Sequence, residues 1–136
     1  MTDREVTALT HQQMPLTEML GVEVDAAGPS GVTARGRWKS GYCTAGGVLH
    51  GGYLMAVADS VGALCAFYNL PEGGTTSTIE SKTNFFRPVR AGEVSFEATP
   101  VHVGRTVIVV QTDATDEEGR LVTRTTQTQA VLPAQA

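Results

Sequence analysis

One carboxylate stands out in this sequence because it lies in the middle of a long apolar stretch. Asp59 is the only charged residue between His50 and Glu72. A buried carboxylate is costly to desolvate, so it needs hydrogen-bond partners or a chemical function. Asp59 is therefore a candidate nucleophile or general base. The alternative is a carboxylate that only bonds to Ser60 or to a threonine from a strand.

A glycine-rich segment precedes this stretch and offers a second chemical group. Residues 46–52 read Gly-Gly-Val-Leu-His-Gly-Gly. If a helix begins at Gly51, its first backbone N–H groups have no partner within the helix and lie at the positive end of its dipole. Because glycines let a ligand oxygen come close, the segment is a candidate oxyanion hole. An ordinary helix start behind a glycine-rich loop is the alternative.

The spacing of these two groups constrains how they can act together. Asp59 follows Gly51 by eight residues, which is about 12 Å along a helix that rises roughly 1.5 Å per residue. Two groups that act on one reacting carbon must each approach it to about 3 Å. If both act in catalysis, they therefore belong to different sites. A two-fold dimer solves this, because one subunit supplies the helix N-terminus and the other supplies Asp59.

A helix at residues 51–69 is needed to position these groups, and the sequence has its pattern. On a wheel of 3.6 residues per turn, bulky and small side chains fall on opposite faces. The bulky face is predicted to pack on a sheet, and the small face to admit another helix or a slender ligand. The bulky set is Leu54, Val57, Val61, Leu64 and Tyr68, and the small set is Gly52, Ala56, Asp59, Gly62, Ala63 and Ala66.

Strand patterns lie on both sides of this helix. A short helical turn at 16–20 ends at Gly21, and the turns at 88–92 and 116–119 separate extended runs. Strands are predicted at 22–27, 32–38, 78–87, 93–103, 106–114 and 121–131. Residues 1–136 are expected to form one domain, with 1–13 and 133–136 as loose termini. One long helix among antiparallel strands predicts an α+β fold whose sheet wraps the helix.

Composition limits the partners of this domain. The chain has 136 residues and a net charge of −4, which argues against nonspecific nucleic-acid binding. The first residues carry no apolar run, so no signal peptide is expected. The apolar stretch 53–70 is interrupted by Asp59 and Gly62, which makes it too polar for a membrane span. We therefore expect a cytoplasmic protein without membrane contact.

The potential metal ligands are scattered along the chain. The cysteines Cys43 and Cys65 give neither a disulfide framework nor a zinc spacing. The three histidines, His11, His50 and His102, are far apart in the sequence. No metal site is predicted from this pattern.

The run His50-Gly51-Gly52, with Asp59 nine residues after the histidine and then Gly62, closely resembles a known family pattern. It is that of the phenylacetate-pathway (PaaI-like) acyl-CoA thioesterases of the hot-dog superfamily. Further similar segments follow in order, at 15–22, 84–92, 104–106 and 116–119, so the resemblance covers most of the chain. It implies a hot-dog fold and hydrolysis of an acyl- or aroyl-CoA thioester. It also implies no cofactor beyond the CoA of the substrate, and a dimer of hot dogs that assembles into a homotetramer.

The resemblance also implies roles for individual residues. Asp59 would be the nucleophile or general base, the Gly51 amide would polarise the thioester carbonyl, and His50 would hold the turn or contact the substrate. Thr78, with Ser77 next, matches a hydroxyl that assists from the following strand, although both also fit ordinary strand positions. Relatives usually carry Asn or Gln six residues before the histidine. This chain has Thr44 there, whose hydroxyl still hydrogen-bonds but has a shorter reach.

Contacts to the rest of the substrate are predicted along the same surface. Because the protein is acidic overall, positive charge for the CoA phosphates must be local. Arginines at strand ends and turns are the candidates for it, and the acyl group is expected beside the small face of the helix. The predicted substrate-binding residues are Gly52, Met55, Ser77, Phe85, Arg87, Arg90, Arg105 and Thr106.

Two other functions remain open at this point. A non-catalytic acyl-CoA-binding hot-dog protein would carry Thr44 as the mark of lost activity. Hot-dog hydratases and dehydratases are a further class, but their catalytic histidine is placed differently in the sequence.

Overall fold

A six-stranded antiparallel sheet is the frame of the structure, a computed structural model that describes residues 1–135. The strand order is β1-β2-β4-β5-β6-β3, and all neighbours pair antiparallel. The strands are β1 Glu23–Gly28, β2 Gly31–Arg37, β3 Thr75–Phe85, β4 Glu93–Val103, β5 Val107–Thr115 and β6 Leu121–Leu132. The helices are α1 Asp3–Gln13, α2 Pro15–Met19 and α3 Gly51–Phe67. The predicted α+β hot-dog arrangement is confirmed, with each predicted strand found within a few residues of its expected bounds.

The long helix α3 packs along one face of the sheet and contacts all six strands. Its buried hydrophobic residues are Tyr53, Leu54, Val57, Ala58, Val61, Cys65 and Ala66. The predicted division into bulky and small faces is only partly right. Leu64 and Tyr68 are half-buried, whereas Gly62 of the small set lies fully against the sheet. The reason is that Gln127 of β6 occupies the space beside Gly62, where a larger residue would not fit.

The prediction of a loose N-terminus at residues 1–13 is wrong, because these residues form α1. Thr2 and Glu5 close a capping box at its start, a pattern that the sequence already contains. Val6 is buried, Thr7 exchanges hydrogen bonds with the backbone of Val24, and the His11 Nε2–H donates to the Val22 carbonyl at 2.7 Å. Polar side chains that bond to the backbone at the start of β1 and just before it thus attach this helix. Its weak apolar pattern did not indicate the packing.

The other chain end follows β6 without regular structure as far as it is described. Residues 133–135 are exposed and carry no regular structure, and residue 136 of the predicted loose terminus lies outside the described residues. The turn at 116–119 joins β5 to β6, and Gly21 ends α2 with a φ of 65°, both as predicted. Within residues 1–135, no helix has the length and hydropathy needed to cross a membrane.

Strand β3 forms one free edge of the sheet. Within the described chain it pairs only with β6, and most of its side chains are exposed, including Ile79. The pairing with β6 is irregular between Thr78 and Glu80, where β3 carries a bulge. An exposed edge of eleven residues presents unpaired backbone groups that can pair with another strand.

Candidate active site

Asp59 lies half-buried on α3, where one oxygen of its carboxylate is held by two neutral donors. Its Oδ1 lies 3.1 Å from the Thr78 hydroxyl and 3.2 Å from Nε2 of Gln127. Among residues 1–135 no Lys, Arg or His forms a salt bridge with it, and its Oδ2 accepts no hydrogen bond. The carboxylate is thus oriented through one oxygen, while the other remains available to attack a carbon or to take a proton.

The donors to Asp59 belong to a larger polar network on strands β3 and β6. The Gln127 Nε2 also donates to Oε1 of Gln129 at 3.0 Å, and Thr78 Oγ1 lies 2.6 Å from the same oxygen. The Gln129 Nε2 donates to the Thr76 hydroxyl at 3.2 Å, which in turn donates to a backbone carbonyl. Both glutamines are 1% exposed, so their part of the network is buried beneath α3, whereas Thr78 at its other side is exposed.

The two glutamines are the site residues that sequence reasoning missed. They lie two residues apart on β6, and alternation along a strand places such residues on one face. That face also carries Thr125 and Val131, both of which are buried. Polar residues in the buried register of a strand are the signal that could have identified them, because buried amides need partners.

Helix α3 begins at Gly51, and His50 caps it. His50 has extended backbone angles, and its Nδ1 accepts a hydrogen bond from the Gly52 amide at 2.7 Å. An accepting Nδ1 places the ring proton of neutral histidine on Nε2. The amide of Gly51 forms no hydrogen bond with any residue in the described range. The helix N-terminus therefore offers one free N–H beside an ordered cap, as the oxyanion-hole prediction requires.

The loop before α3 is fixed from several directions. Gly46 and Gly47 have φ values of 81° and 71°, which favour glycine. Trp38 Nε1 donates to the Gly47 carbonyl at 3.0 Å, and Arg90 donates to the Gly46 carbonyl at 3.3 Å. The Leu49 amide donates to the Val89 carbonyl at 2.9 Å. These contacts hold the loop and the first turn of α3 in place.

Phe85, at the end of β3, lies directly over the start of α3. A Cβ added at Gly51 would be 3.2 Å from two atoms of the Phe85 ring, so glycine allows the ring to approach. Thr78, the partner of Asp59, lies seven residues earlier on the same strand. Within one chain, Gly51 therefore lies near the Phe85 end of β3, and Asp59 lies near Thr78, seven residues away along the strand.

The cap made by His50 can be tested separately from any chemical role. We expect His50→Ala to lower the free energy of unfolding by about 1 kcal/mol, because the Gly52 amide loses its acceptor. His50→Asn should keep most of this stability, since asparagine is a good N-cap residue. Chemical denaturation of both variants measures the difference. Equal stability of His50→Ala and wild type would contradict the capping role.

The remaining predicted residues near the helix, Thr44, Ser77 and Met55, form no side-chain hydrogen bond with Asp59 or Gly51 in the described chain. Thr44 is exposed, its amide donates to the Val48 carbonyl at 2.8 Å, and its hydroxyl has no partner among residues 1–135. Ser77 is adjacent to Thr78 on β3, so its side chain points to the opposite face, away from Asp59. Met55 is exposed, one turn before Asp59.

The thiol of Cys65, on the buried side of α3, takes no part in this site. Burial raises the pKa of the Cys65 thiol to about 11, which keeps it neutral and excludes it as a nucleophile near pH 7.

The predicted arginines fall at two ends of the sheet. Arg87 and Arg90 line a cleft of about 420 Å³ beside the β5–β6 turn, together with Arg120 and the acidic residues Asp116, Glu117 and Glu118. Arg120 is already paired with Asp116 at 2.9 Å and Glu118 at 2.7 Å. Arg105 and Thr106 lie in the turn after β4, at its other end. A single chain therefore brings Arg87 and Arg90 together but not Arg105.

A second cavity, an apolar groove of about 600 Å³, lies between α1, the second half of α3 and the start of β3. Its large apolar side chains are Val6, Leu9, Met14, Leu64, Phe67 and Tyr68. Ala63, one helical turn after Asp59, and Thr76 of the polar network also line it. Met55 and Phe85, which were expected beside the acyl group, are not among its walls. In residues 1–135 no group of three His, Cys, Asp or Glu side chains is arranged to hold a metal ion.

The chain is similar in sequence to known thioesterases and esterases. A family model of the thioesterase superfamily matches residues 46–123. A Haemophilus influenzae protein whose name proposes esterase activity is 37% identical over 102 residues, which are 75% of this chain and 74% of that protein. The proofreading thioesterase EntH of Klebsiella pneumoniae is 34% identical over 74 residues, 54% of each chain.

A solved structure extends the similarity to the whole chain. The crystal structure of thioesterase HI1161 from Haemophilus influenzae has a TM-score of 0.91 and 31% identity, and the alignment covers 100% of this chain and 94% of that one. The family match includes Gly51, Asp59 and Thr78 but ends before Gln127.

Proposed function

We propose that this chain, which belongs to the thioesterase superfamily and is a thioester hydrolase, cleaves acyl- or aroyl-CoA to the free acid and CoA in the manner of the PaaI-like branch. One observation carries the proposal. The same helix bears a free amide at its first residue, Gly51, and a carboxylate at Asp59 that two neutral donors orient. An electrophile stabiliser and a nucleophile or base are the two groups that acyl transfer needs.

In the proposed reaction, the thioester carbonyl oxygen accepts a hydrogen bond from the Gly51 amide. Negative charge grows on this oxygen as the carbon becomes tetrahedral, and the positive end of the α3 dipole stabilises it. Either Asp59 attacks the carbon, or it takes a proton from a water molecule that attacks instead. If Asp59 attacks, the C–S bond breaks to leave a mixed anhydride with Asp59, and water then hydrolyses this anhydride to the acid and the free Asp59 carboxylate. If water attacks instead, breaking the C–S bond gives the acid directly. In both routes the thiolate of CoA leaves and takes up a proton, and water supplies the added oxygen of the acid.

A two-fold dimer joined along β3 would complete this site. The free edge of β3 can pair with the same edge of a second copy. Antiparallel pairing would place the Thr78 end of one strand beside the Phe85 end of the other. Asp59 of one subunit would then be near the Gly51 end of the partner, as the spacing along α3 requires. Two such dimers would form the tetramer that the sequence resemblance implies.

The groove behind Asp59 supports an apolar acyl group. It begins one helical turn from the carboxylate, its walls are mainly aliphatic and aromatic, and its volume of about 600 Å³ is that of a small-molecule pocket. We therefore assign it to an aromatic or medium-chain acyl group. This assignment moves the acyl group away from Met55 and Phe85 and toward Leu64, Phe67 and α1.

Arg87 and Arg90 are the proposed partners of the CoA phosphates. Neither forms a salt bridge with a carboxylate in the described range, and both line an open cleft at the Gly51 end of the sheet. Guanidinium groups bind phosphates through paired, charge-assisted hydrogen bonds. We also propose a cytoplasmic location, where CoA thioesters are made and consumed.

A thiol-release assay against a panel of aromatic and aliphatic acyl-CoAs tests the proposed function. We expect measurable turnover without added metal, with the highest kcat/KM for a substrate whose acyl group fills an apolar groove of this size. The matched S-acyl pantetheine thioesters, which lack the nucleotide, should show a raised KM if the arginines bind phosphates. Binding of CoA esters without thiol release from any of them would instead favour a non-catalytic acyl-CoA-binding protein.

A further inference from the structure

Gly62 is placed in the middle of α3 at a cost to the helix. Glycine in a helix interior is about 1 kcal/mol less favourable than alanine. Here a Cβ would overlap the side-chain amide of Gln127, which lies directly against the Gly62 backbone. The helix therefore has glycine at position 62 instead of a stronger helix former such as alanine, and this leaves room for the buried Gln127 amide.

That amide carries a second cost. Its Oε1 is buried and has no hydrogen-bond partner within residues 1–135. Its Nε2, by contrast, faces three acceptors, which are Oδ1 of Asp59, the Asp59 backbone carbonyl and Oε1 of Gln129. The opposite amide orientation would place an oxygen against all three, so the assignment of Nε2 is fixed by its surroundings. A buried polar atom without a partner is destabilising and is tolerated mainly where it serves a function.

From these two features we propose that Gln127 is a positioning residue, which holds the carboxylate of Asp59 in its reactive orientation. The inference rests on the proposed function, in which Asp59 is the catalytic carboxylate. Gln127 can only donate from this side, and it bonds to both the side chain and the backbone of Asp59. These two bonds therefore fix the side-chain conformation of Asp59 on α3. They leave its Oδ2 free to face the reacting carbon.

Gln129 supports this arrangement by accepting from two sides. Its Oε1 lies 2.6 Å from Thr78 Oγ1 and 3.0 Å from Nε2 of Gln127. The Thr78 hydroxyl has one proton and two acceptors, Gln129 and Asp59. Because Gln129 keeps the donor from Gln127, Thr78 is free to turn its proton to Asp59 when negative charge is on the carboxylate. Thr76 anchors the far end of Gln129.

Gln127→Met tests the proposal, because methionine has a similar length and no donor. We expect kcat to fall about 10–100-fold, the range for losing a hydrogen bond to a charged group, with KM nearly unchanged. The melting temperature should stay equal or rise, since the unpartnered Oε1 is removed. Gly62→Ala should lower kcat by displacing the same amide without altering its chemistry. Gln111→Met, the same change at a half-buried residue on the outer face of β5, is the matched control.

The outcomes separate this inference from the proposed function. Wild-type kcat in Gln127→Met, with Asp59→Asn inactive, would overturn the positioning role and leave the function standing. A lowered melting temperature with wild-type kcat per folded molecule would show a purely structural glutamine and would also overturn it. Full activity of Asp59→Asn would contradict the proposed mechanism, and the positioning role of Gln127 would be contradicted with it. Loss of kcat in both Gln127→Met and Gly62→Ala would support this role, provided that the melting temperature of Gln127→Met is at least that of wild type and the kcat of Gln111→Met is unchanged.

Discussion

Replacing Asp59 by asparagine is expected to lower kcat roughly 10²–10⁴-fold, with KM and the melting temperature close to wild type. Asparagine has the same size, and its Oδ1 can still accept from Thr78 and Gln127, so the fold should be retained. A neutral amide can neither attack the thioester carbon nor take a proton from water. Steady-state thiol release at saturating substrate, together with thermal denaturation, measures the effect.

Asp113→Asn is the matched control for this substitution. Asp113 lies on β5 and pairs with Arg124 at 2.8 Å, away from α3. The same change of charge there should leave kcat and KM unaltered. Unchanged turnover by Asp59→Asn on a substrate that wild type hydrolyses would exclude Asp59 from the mechanism.

The second large effect is expected at Gly51, where proline removes the backbone N–H and nothing else that catalysis needs. Loss of one oxyanion-hole donor costs roughly 10²–10³-fold in kcat. Proline is favoured at the first position of a helix, and the residue before it must be extended. His50 has φ −62° and ψ 136°, which satisfies this condition. Gly51→Pro should therefore fold with α3 intact and lose most of its activity.

Gly51→Ala is the control that separates the amide from the added bulk. It places a Cβ beside the Phe85 ring, as proline does, but keeps the N–H. We expect Gly51→Ala to retain much more kcat than Gly51→Pro. If both variants lose activity equally, the contact with Phe85 rather than the amide is what matters at this position.

The two variants together also test whether one site draws on two subunits. In a mixed two-fold dimer of Asp59→Asn and Gly51→Pro subunits, one site has both an intact Gly51 amide and an intact Asp59. Random mixing makes half of the dimers mixed, so about a quarter of wild-type activity should return. A site built within one chain would give no recovery.

The sequence predicts the main elements because their patterns are local. The periodicities of 3.6 and two residues locate α3 and the strands, and the isolated charge of Asp59 identifies the carboxylate. Thr78 was also anticipated, and the structure places its hydroxyl on Asp59. Gln127, however, lies 68 residues after Asp59, and only the pairing of β3 with β6 brings it under the helix. That register is a property of the folded sheet, which local patterns do not contain.

The groove beside α1 could not be predicted from the sequence for a related reason. Residues 1–13 carry few apolar side chains, so they were expected to be loose, and a groove with α1 as one wall could not be foreseen. Thr7 and His11 attach α1 through hydrogen bonds to the backbone of Val24 and Val22, and such contacts leave no apolar periodicity in the sequence. Without α1, the small face of α3 near Met55 was the nearest alternative for the acyl group.

The exposed edge of β3 makes the activity of this enzyme depend on protein concentration if its sites form across that edge. If each site is completed across that edge, an isolated chain holds every catalytic group and still has no complete site. Mass action then couples activity to protein concentration, and apparent stability to the same assembly equilibrium. Specific activity would fall on dilution below the dissociation constant of the dimer. The expression level of the chain would in this way set its catalytic competence as well as its amount.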